Sequence, residues 1–287
     1  MDDGLKQEAI LLYDRFTHEG LDRRVFMGRM VALAGSFAAA EALIASIAAS
    51  PAAAAVISAD DPRLTTRTQD LAGGYKAYVA EPRTRSLKAT VVVIHENRGL
   101  NDHIRDVARR LGVAGFRAVA PDFLSPSGGT PASEDAARDA IGKLDLAKSV
   151  SDAVAIIEDL SKSSLGGKVG AVGFCWGGGF VNRLAVAAGD KLDAGVSYYG
   201  PAPDASDAAK VEAPLLIHDA GLDDRVNRTS FPWVEALRTA SKPVKFYLYE
   251  GVNHAFNNDT SADRYNKAAA DLAWKRTLSF FHKNLNA

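Results

Sequence analysis

Short apolar runs alternate with longer amphipathic stretches from residue 74 to the end of the chain. Ala89 to His95 and Lys168 to Phe174 are continuous apolar runs, the pattern of parallel strands buried on both faces. Gly74 to Glu81 alternates apolar with polar residues and predicts an earlier strand. Arg117 to Pro121, Ala194 to Tyr199, Pro214 to Asp219 and Val244 to Tyr249 predict further strands. Helical periodicity covers Ile104 to Leu111, closed by Gly112 and Gly115, and Glu134 to Leu160, with a break near Gly142. It returns at Trp176 to Ala188, Phe231 to Ala240 and Ala262 to Asn284, while residues 124–131 form a Pro/Ser/Gly-rich loop. Strands alternating with helices imply a mostly parallel central sheet covered by helices on both faces. Chemistry in such sheets gathers beyond the carboxyl ends of the strands.

The first 58 residues follow another pattern, and the catalytic part is placed at 59–287. Asp22-Arg23-Arg24-Val25-Phe26-Met27 is similar to a twin-arginine export motif. It precedes a small-residue apolar stretch, Met30 to Ala49, and an A-x-A type cleavage site at Ala52 to Ala55. The segment before the arginine pair is long and acidic, and Glu41 interrupts the apolar stretch. Leu5, Ile10, Leu11 and Phe16 also fit one face of an amphipathic helix packed on the body. Periplasmic export and a cytoplasmic protein with an uncleaved helical segment are both compatible with this pattern. Alanine dominates the stretch too strongly for a stable membrane span.

The 287 residues are 47% hydrophobic with a formal net charge of -1, enough for one large α/β domain. Near-neutral charge gives no support for a nucleic-acid partner. The one cysteine excludes an internal disulfide. His95, His103, His218 and His254 fall on different elements, so no cluster has metal-ligand spacing, and neither a metal nor an organic cofactor is expected.

That cysteine, Cys175, stands in Gly173-Phe-Cys-Trp-Gly177, at the join of a predicted strand and helix. The spacing resembles the nucleophile elbow of α/β-hydrolases, with cysteine in place of serine. A Cβ at either glycine would clash where strand and helix nearly touch, and the helix N-terminus favours a thiolate. A cysteine nucleophile needs a base and a group orienting that base. Asp223 and His254 follow later strands in the order nucleophile, acid, histidine. Asp224 competes with Asp223 for the acid role. His218 is a rival base, but its place at a strand end beside Asp219 points to packing. An oxyanion hole needs two backbone N–H groups. The candidates are Trp176 and, in the loop His95-Glu-Asn-Arg-Gly-Leu100, Asn97. Glu96 in that loop is either a surface partner of Arg98 or Arg105, or a carboxylate near the thiol.

Five separated motifs, His-Glu-Asn-Arg-Gly-Leu, Val-Ala-Pro-Asp at 119–122, Gly-Phe-Cys-Trp-Gly-Gly, Gly-Leu-Asp-Asp-Arg-Val and Asn-His-Ala-Phe, together resemble the dienelactone hydrolase (carboxymethylenebutenolidase) family over residues 65–285. The resemblance implies an α/β-hydrolase fold and a triad of Cys175, His254 and Asp223. It also implies that Glu96 contacts the resting thiol and takes its proton when substrate binds. Family members that open dienelactones carry an arginine four residues after the histidine, where this chain has Asn258. A second family arginine falls near Arg138. With Arg98, these are the candidate substrate-binding residues. The expected activity is cleavage of a small ester or lactone through a thioester acyl-enzyme, with uncharged substrates preferred because of Asn258. The alternative is a non-hydrolytic thiol-based redox or binding module on the same fold.

Overall fold

A computed structural model describes residues 3–48, 55–83, 89–163 and 167–285. The body is an eight-stranded sheet in the order β1-β2-β4-β3-β5-β6-β7-β8. In chain order, β1 is Leu64–Asp70, β2 Lys76–Pro82, β3 Thr90–Ile94, β4 Arg117–Asp122 and β5 Val169–Phe174. The remaining strands are β6 Ala194–Tyr198, β7 Leu215–Ala220 and β8 Val244–Tyr249. The β1–β2 and β2–β4 pairings are antiparallel and all others parallel, the arrangement of an α/β-hydrolase. Helices cover both faces. They are α4 (Asp102–Val113), α5 (Glu134–Ile141), α6 (Leu146–Lys162), α7 (Trp176–Ala188), α8 (Asp224–Thr239) and α9 (Lys267–Leu285). Before them come α1 (Asp3–His18), α2 (Arg23–Ala34) and α3 (Phe37–Ile47).

Two apolar clusters lie on opposite faces of the sheet. One joins Val91, Val93 and Phe174 to Ile104, Leu111 and Phe281, and the other joins Val92, Ile94 and Val172's neighbour Ala171 to Ile157, Leu184 and Trp233. β3 and β5 are buried at every position, as their unbroken apolar runs predict. β1 is a strand that the hydrophobic pattern does not show. In Leu-Thr-Thr-Arg-Thr-Gln-Asp only Leu64 is buried, because an edge strand has little to bury.

One helix boundary matches the pattern and two differ. The long helical stretch is two helices, α5 and α6, separated after Ile141 as the break near Gly142 predicts. α8 begins at Asp224 rather than Phe231, because the Asp223 carboxylate caps it and accepts from the Val226 N–H at 3.2 Å. Pro232 lies inside this helix, although a proline more often marks a first turn. α9 begins at Lys267, where Asn266 accepts from the Ala269 N–H at 3.0 Å. The stretch from Ala262 to Asn266 is therefore loop, and it carries Arg264.

The first three helices form a small core of their own, built on Ile10, Leu12, Tyr13, Phe26, Met30, Leu43 and Ile47. The expected face of α1 is shifted, since Leu11 is exposed while Leu12 and Tyr13 are buried. Among the described residues no single helix is long and apolar enough to cross a membrane, and α2 and α3 meet at 105°. Most of the predicted cleavage site, Ala52 to Ala54, lies outside the described residues.

The cluster of three helices seats on the carboxyl-end face of the sheet through specific polar contacts. Gln7 and Asn253 exchange amide hydrogen bonds at 2.7 and 3.0 Å, and Lys6 pairs with Asp263 at 2.5 Å. At the end of α3 the Ile47 carbonyl accepts from Ser261 Oγ at 2.5 Å and from Arg264 Nε at 3.0 Å. The Ser46 carbonyl accepts from the Asp263 N–H at 3.1 Å. The body thus satisfies carbonyls that a helix C-terminus leaves unpaired.

Candidate active site

β5 passes directly into α7 at Cys175. A Cβ on Gly173 would lie 2.0 Å from the Gly177 carbonyl oxygen, and one on Gly177 would lie 2.3 Å from that of Ile94. Only glycine fits either position. Between them Cys175 adopts φ 55°, ψ −115°, a strained conformation for a residue with a side chain. Its N–H donates to the Tyr198 carbonyl at 3.0 Å, and its carbonyl accepts from Gly179 at 3.0 Å. These bonds hold the turn. The side chain stands at the N-terminus of α7, where the helix dipole favours negative charge, and it is buried.

His254 and Asp223 project from the loops after β8 and β7. His254 Nδ1 lies 2.5 Å from Asp223 Oδ2, while exposed Asp224 is the first residue of α8. Of the two aspartates, Asp223 is the one in contact with His254. His218 is fully buried and bonded to Thr277 and the Tyr249 hydroxyl; it packs, as its position suggested. Cys175 Sγ and one ring nitrogen each of His254 and His18 all lie within 4.8 Å of one another.

The loop after β3 supplies the opposite wall. His95 Nε2 accepts from the Phe123 N–H at 3.2 Å, so its Nδ1–H donates to the Glu96 carbonyl at 2.7 Å. The ring stacks on Trp176, with centroids 5.3 Å apart. The stacking ties the loop after β3 to the first residue of α7. Glu96 is buried, and its partner is neither Arg98 nor Arg105. Its Oε2 accepts from Asn258 Nδ2 at 2.9 Å, and its Oε1 is buried without a partner. Arg98 is buried, donating to Tyr13 Oη at 3.2 Å and to the Glu134 carbonyl at 3.3 Å. Arg138 is not part of this group. It pairs with Asp135 and Asp139 and lies over the Phe16 ring.

Two residues of the site escaped the sequence reading. Arg264 is buried in the same cavity as Cys175, with its Nη1 3.3 Å from Asp14 Oδ1. A lone arginine ten positions after the histidine carries no recognisable spacing. His18, the last residue of α1, places both ring nitrogens 4.0 Å from Cys175 Sγ. Its ring meets that of His254 edge to face, with centroids 4.7 Å apart. The Asn97 side-chain amide donates to the Thr17 carbonyl at 3.2 Å. Tyr13, Thr17 and His18 thus close the cavity over the cysteine, leaving about 20 Å³, room for about one water.

Charge in this enclosure is partitioned between the two histidines. Burial alone would lower the His254 pKa, but the charges of Asp223 and Cys175 outweigh burial and raise it to about 10. Burial would raise Asp223, and the opposing charge and hydrogen bond of His254 bring it below its ordinary value. His18 is pushed well down, by burial first and then by the charge on His254. A histidine whose folded pKa lies above its unfolded value of 6.5 stabilises fully below that value. The contribution is lost as pH rises through the folded pKa. Chemical denaturation should therefore show stability falling from about pH 6.5 towards pH 10, and His254→Gln should flatten that slope. An unchanged slope in the variant would place the effect elsewhere.

Comparison with known proteins bears on the family and the fold. The pattern of the dienelactone hydrolase family matches residues 75–285. A carboxymethylenebutenolidase homologue from Saccharolobus solfataricus is 31% identical over 246 residues, covering 72% of this chain and 93% of its own length. A Bradyrhizobium relative named for 2-oxo-3-(5-oxofuran-2-ylidene)propanoate lactonase activity is 28% identical over 232 residues, covering 73% of this chain and 89% of its own. A dienelactone hydrolase homologue from Klebsiella pneumoniae superposes with a TM-score of 0.68 at 25% identity, covering 77% of this chain and 99% of its own. The hydrolase fold, the matched segment and these relatives agree, and the chain belongs to the dienelactone hydrolase family.

Proposed function

We propose that this hydrolase cleaves a small ester or lactone through a thioester on Cys175. The observation that carries the reading is the strained Cys175 held against His254, with Asp223 bonded behind the imidazole. His254 takes the thiol proton, and Sγ attacks the carbonyl carbon. The oxyanion is received by the Trp176 and Asn97 N–H groups. His254 protonates the departing alkoxide or enolate. It then takes a proton from water, which attacks the thioester and frees Cys175. The non-hydrolytic alternative leaves the ordered His254–Asp223 pair without a task.

Glu96 is a second proton acceptor in this reading. Its unpartnered Oε1 belongs to a carboxylate that lines the cavity with Cys175, and Asn258 orients it through Oε2. Glu96→Gln should slow acylation by roughly 10²–10⁴-fold and shift the pH profile of Cys175 alkylation by iodoacetamide. Superimposable profiles would leave Glu96 as a loop partner of Asn258 alone.

The expected preference for uncharged substrates rested on Asn258, and Arg264 changes it. Asn258 is committed to Glu96, while two arginines line the cavity, Arg98 and Arg264, and Arg264 is the one whose carboxylate partner, Asp14, belongs to α1. A buried arginine freed from Asp14 would be left unpaired, which costs several kcal/mol and favours a substrate carboxylate in its place. The Bradyrhizobium relative is named for a lactone bearing a propanoate, consistent with this chemistry. A free-acid lactone should be preferred over its methyl ester by about 10-fold or more, and Arg264→Gln should remove the preference. A wild-type enzyme favouring the methyl ester would restore the reading based on Asn258.

No ester fits the enclosed space, so turnover requires α1, which carries Tyr13, Thr17 and His18, to move aside or be removed. Processing at the predicted twin-arginine cleavage site would remove α1 to α3 together.

A further inference from the structure

We propose that His18, Cys175 and His254 form a binding site for a borderline-soft divalent cation of the zinc type, assembled when α1 closes over the hydrolytic pair. The three residues are far apart in sequence, which is why no ligand spacing was visible. The fold brings one ligand atom of each within 4.8 Å of the others. Thiolate and imidazole are the donors such a cation prefers. Zinc bonds of about 2.3 Å to sulfur and about 2.1 Å to nitrogen, at tetrahedral angles, separate the donors by about 3.6 Å. The observed 4.0 Å from Cys175 Sγ to either His18 nitrogen needs a contraction of a few tenths of an ångström, and a donor pair at the 4.8 Å limit needs one of about 1.2 Å.

Two independent observations point to a ligand here. His254 is 2% exposed, and its Nε2 is buried without a hydrogen-bond partner. Its other nitrogen is held by Asp223, the carboxylate-behind-histidine arrangement that orients metal-bound imidazoles. The remaining space, about 20 Å³, is room for one ion. Coordination needs a thiolate and neutral imidazoles, so binding displaces a proton from the Cys175–His254 pair to solvent. The cation would act as a clasp rather than a cofactor. It occupies the nucleophile's sulfur and ties α1 to the body, so metal binding and hydrolysis exclude each other.

The test uses the full chain, reduced and stripped of metal, titrated with ZnCl₂ against a chromogenic chelator. One equivalent should bind to wild type, and His18→Ala should weaken binding by about 100-fold or more, since even outer partners of metal ligands contribute 10–100-fold. His18→Cys, which replaces one ligand by another, should recover most of the affinity and guards against a folding defect in the alanine variant. Substitution with Co²⁺ should give a thiolate-to-cobalt charge-transfer band in wild type that is absent from Cys175→Ser. Zinc should suppress ester hydrolysis by the full chain, and chelation should restore it. Equal zinc affinity in wild type and His18→Ala, or no stoichiometric binding by wild type, would overturn the site. The titration needs no turnover, so failure of the hydrolytic reading would register separately.

Discussion

Cys175→Ala should reduce ester hydrolysis by about 10⁶-fold, the usual cost of removing a triad nucleophile, while leaving thermal unfolding nearly unchanged. The size follows from the chemistry. Without sulfur no thioester forms, and His254 and Asp223 keep their 2.5 Å contact but have no nucleophile to activate. The small effect on folding follows from packing. Alanine removes a single buried atom, and the turn is held by bonds from the backbone of residue 175 to Tyr198 and Gly179. Alanine is as strained at φ 55° as cysteine, so the backbone cost is common to both. Cys175→Ser tests the chemistry from another side, because it keeps a nucleophile of similar shape with a far less acidic proton. A folded alanine variant with more than a few per cent of wild-type activity would remove Cys175 from the nucleophile's role.

Deleting residues 1–58 should raise kcat/KM for small esters by about 100-fold. Tyr13, Thr17 and His18 fill the entrance to Cys175, and Asp14 occupies Arg264. The closed form cannot take substrate, so the activity of the full chain measures its open fraction. If the polar contacts of Gln7, Lys6, Asp14 and the end of α3 favour closure by about 3 kcal/mol, about one molecule in a hundred is open. The body retains both sheet-face clusters without these helices, so the deleted form should fold. Equal activity in the full and shortened chains, at equal thermal stability, would show that the three helices do not obstruct the site in solution.

The parts of the molecule legible in the sequence are those built from local rules. The buried strands β3 and β5 announce themselves as apolar runs, and the Gly173–Cys175–Gly177 turn is visible because steric contact allows only glycine at its flanks. Asp223 and His254 follow from the order of loops after parallel strands. What was not legible depends on contacts across the chain. β1 buries only Leu64. The partner of Glu96 is Asn258, 162 residues away. Arg264 falls inside the predicted helix from Ala262 to Asn284, and nothing in that pattern turns it towards Cys175. The largest gap is the N-terminal segment. Its amphipathic period indicates a helix, but periodicity carries no information about where the helix docks. His18 therefore gives no hint that it will face a cysteine 157 residues later.

The central claim is that hydrolysis proceeds through an acyl group on Cys175. The most direct measurement mixes enzyme with p-nitrophenyl acetate, quenches in acid during the first turnover and weighs the intact protein. One added acetyl group, mapped to the peptide containing Cys175, labile to hydroxylamine and absent from Cys175→Ala, is the predicted result. An enzyme that releases p-nitrophenol at the same rate with no adduct at any quench time, or with its adduct on another residue, would contradict it.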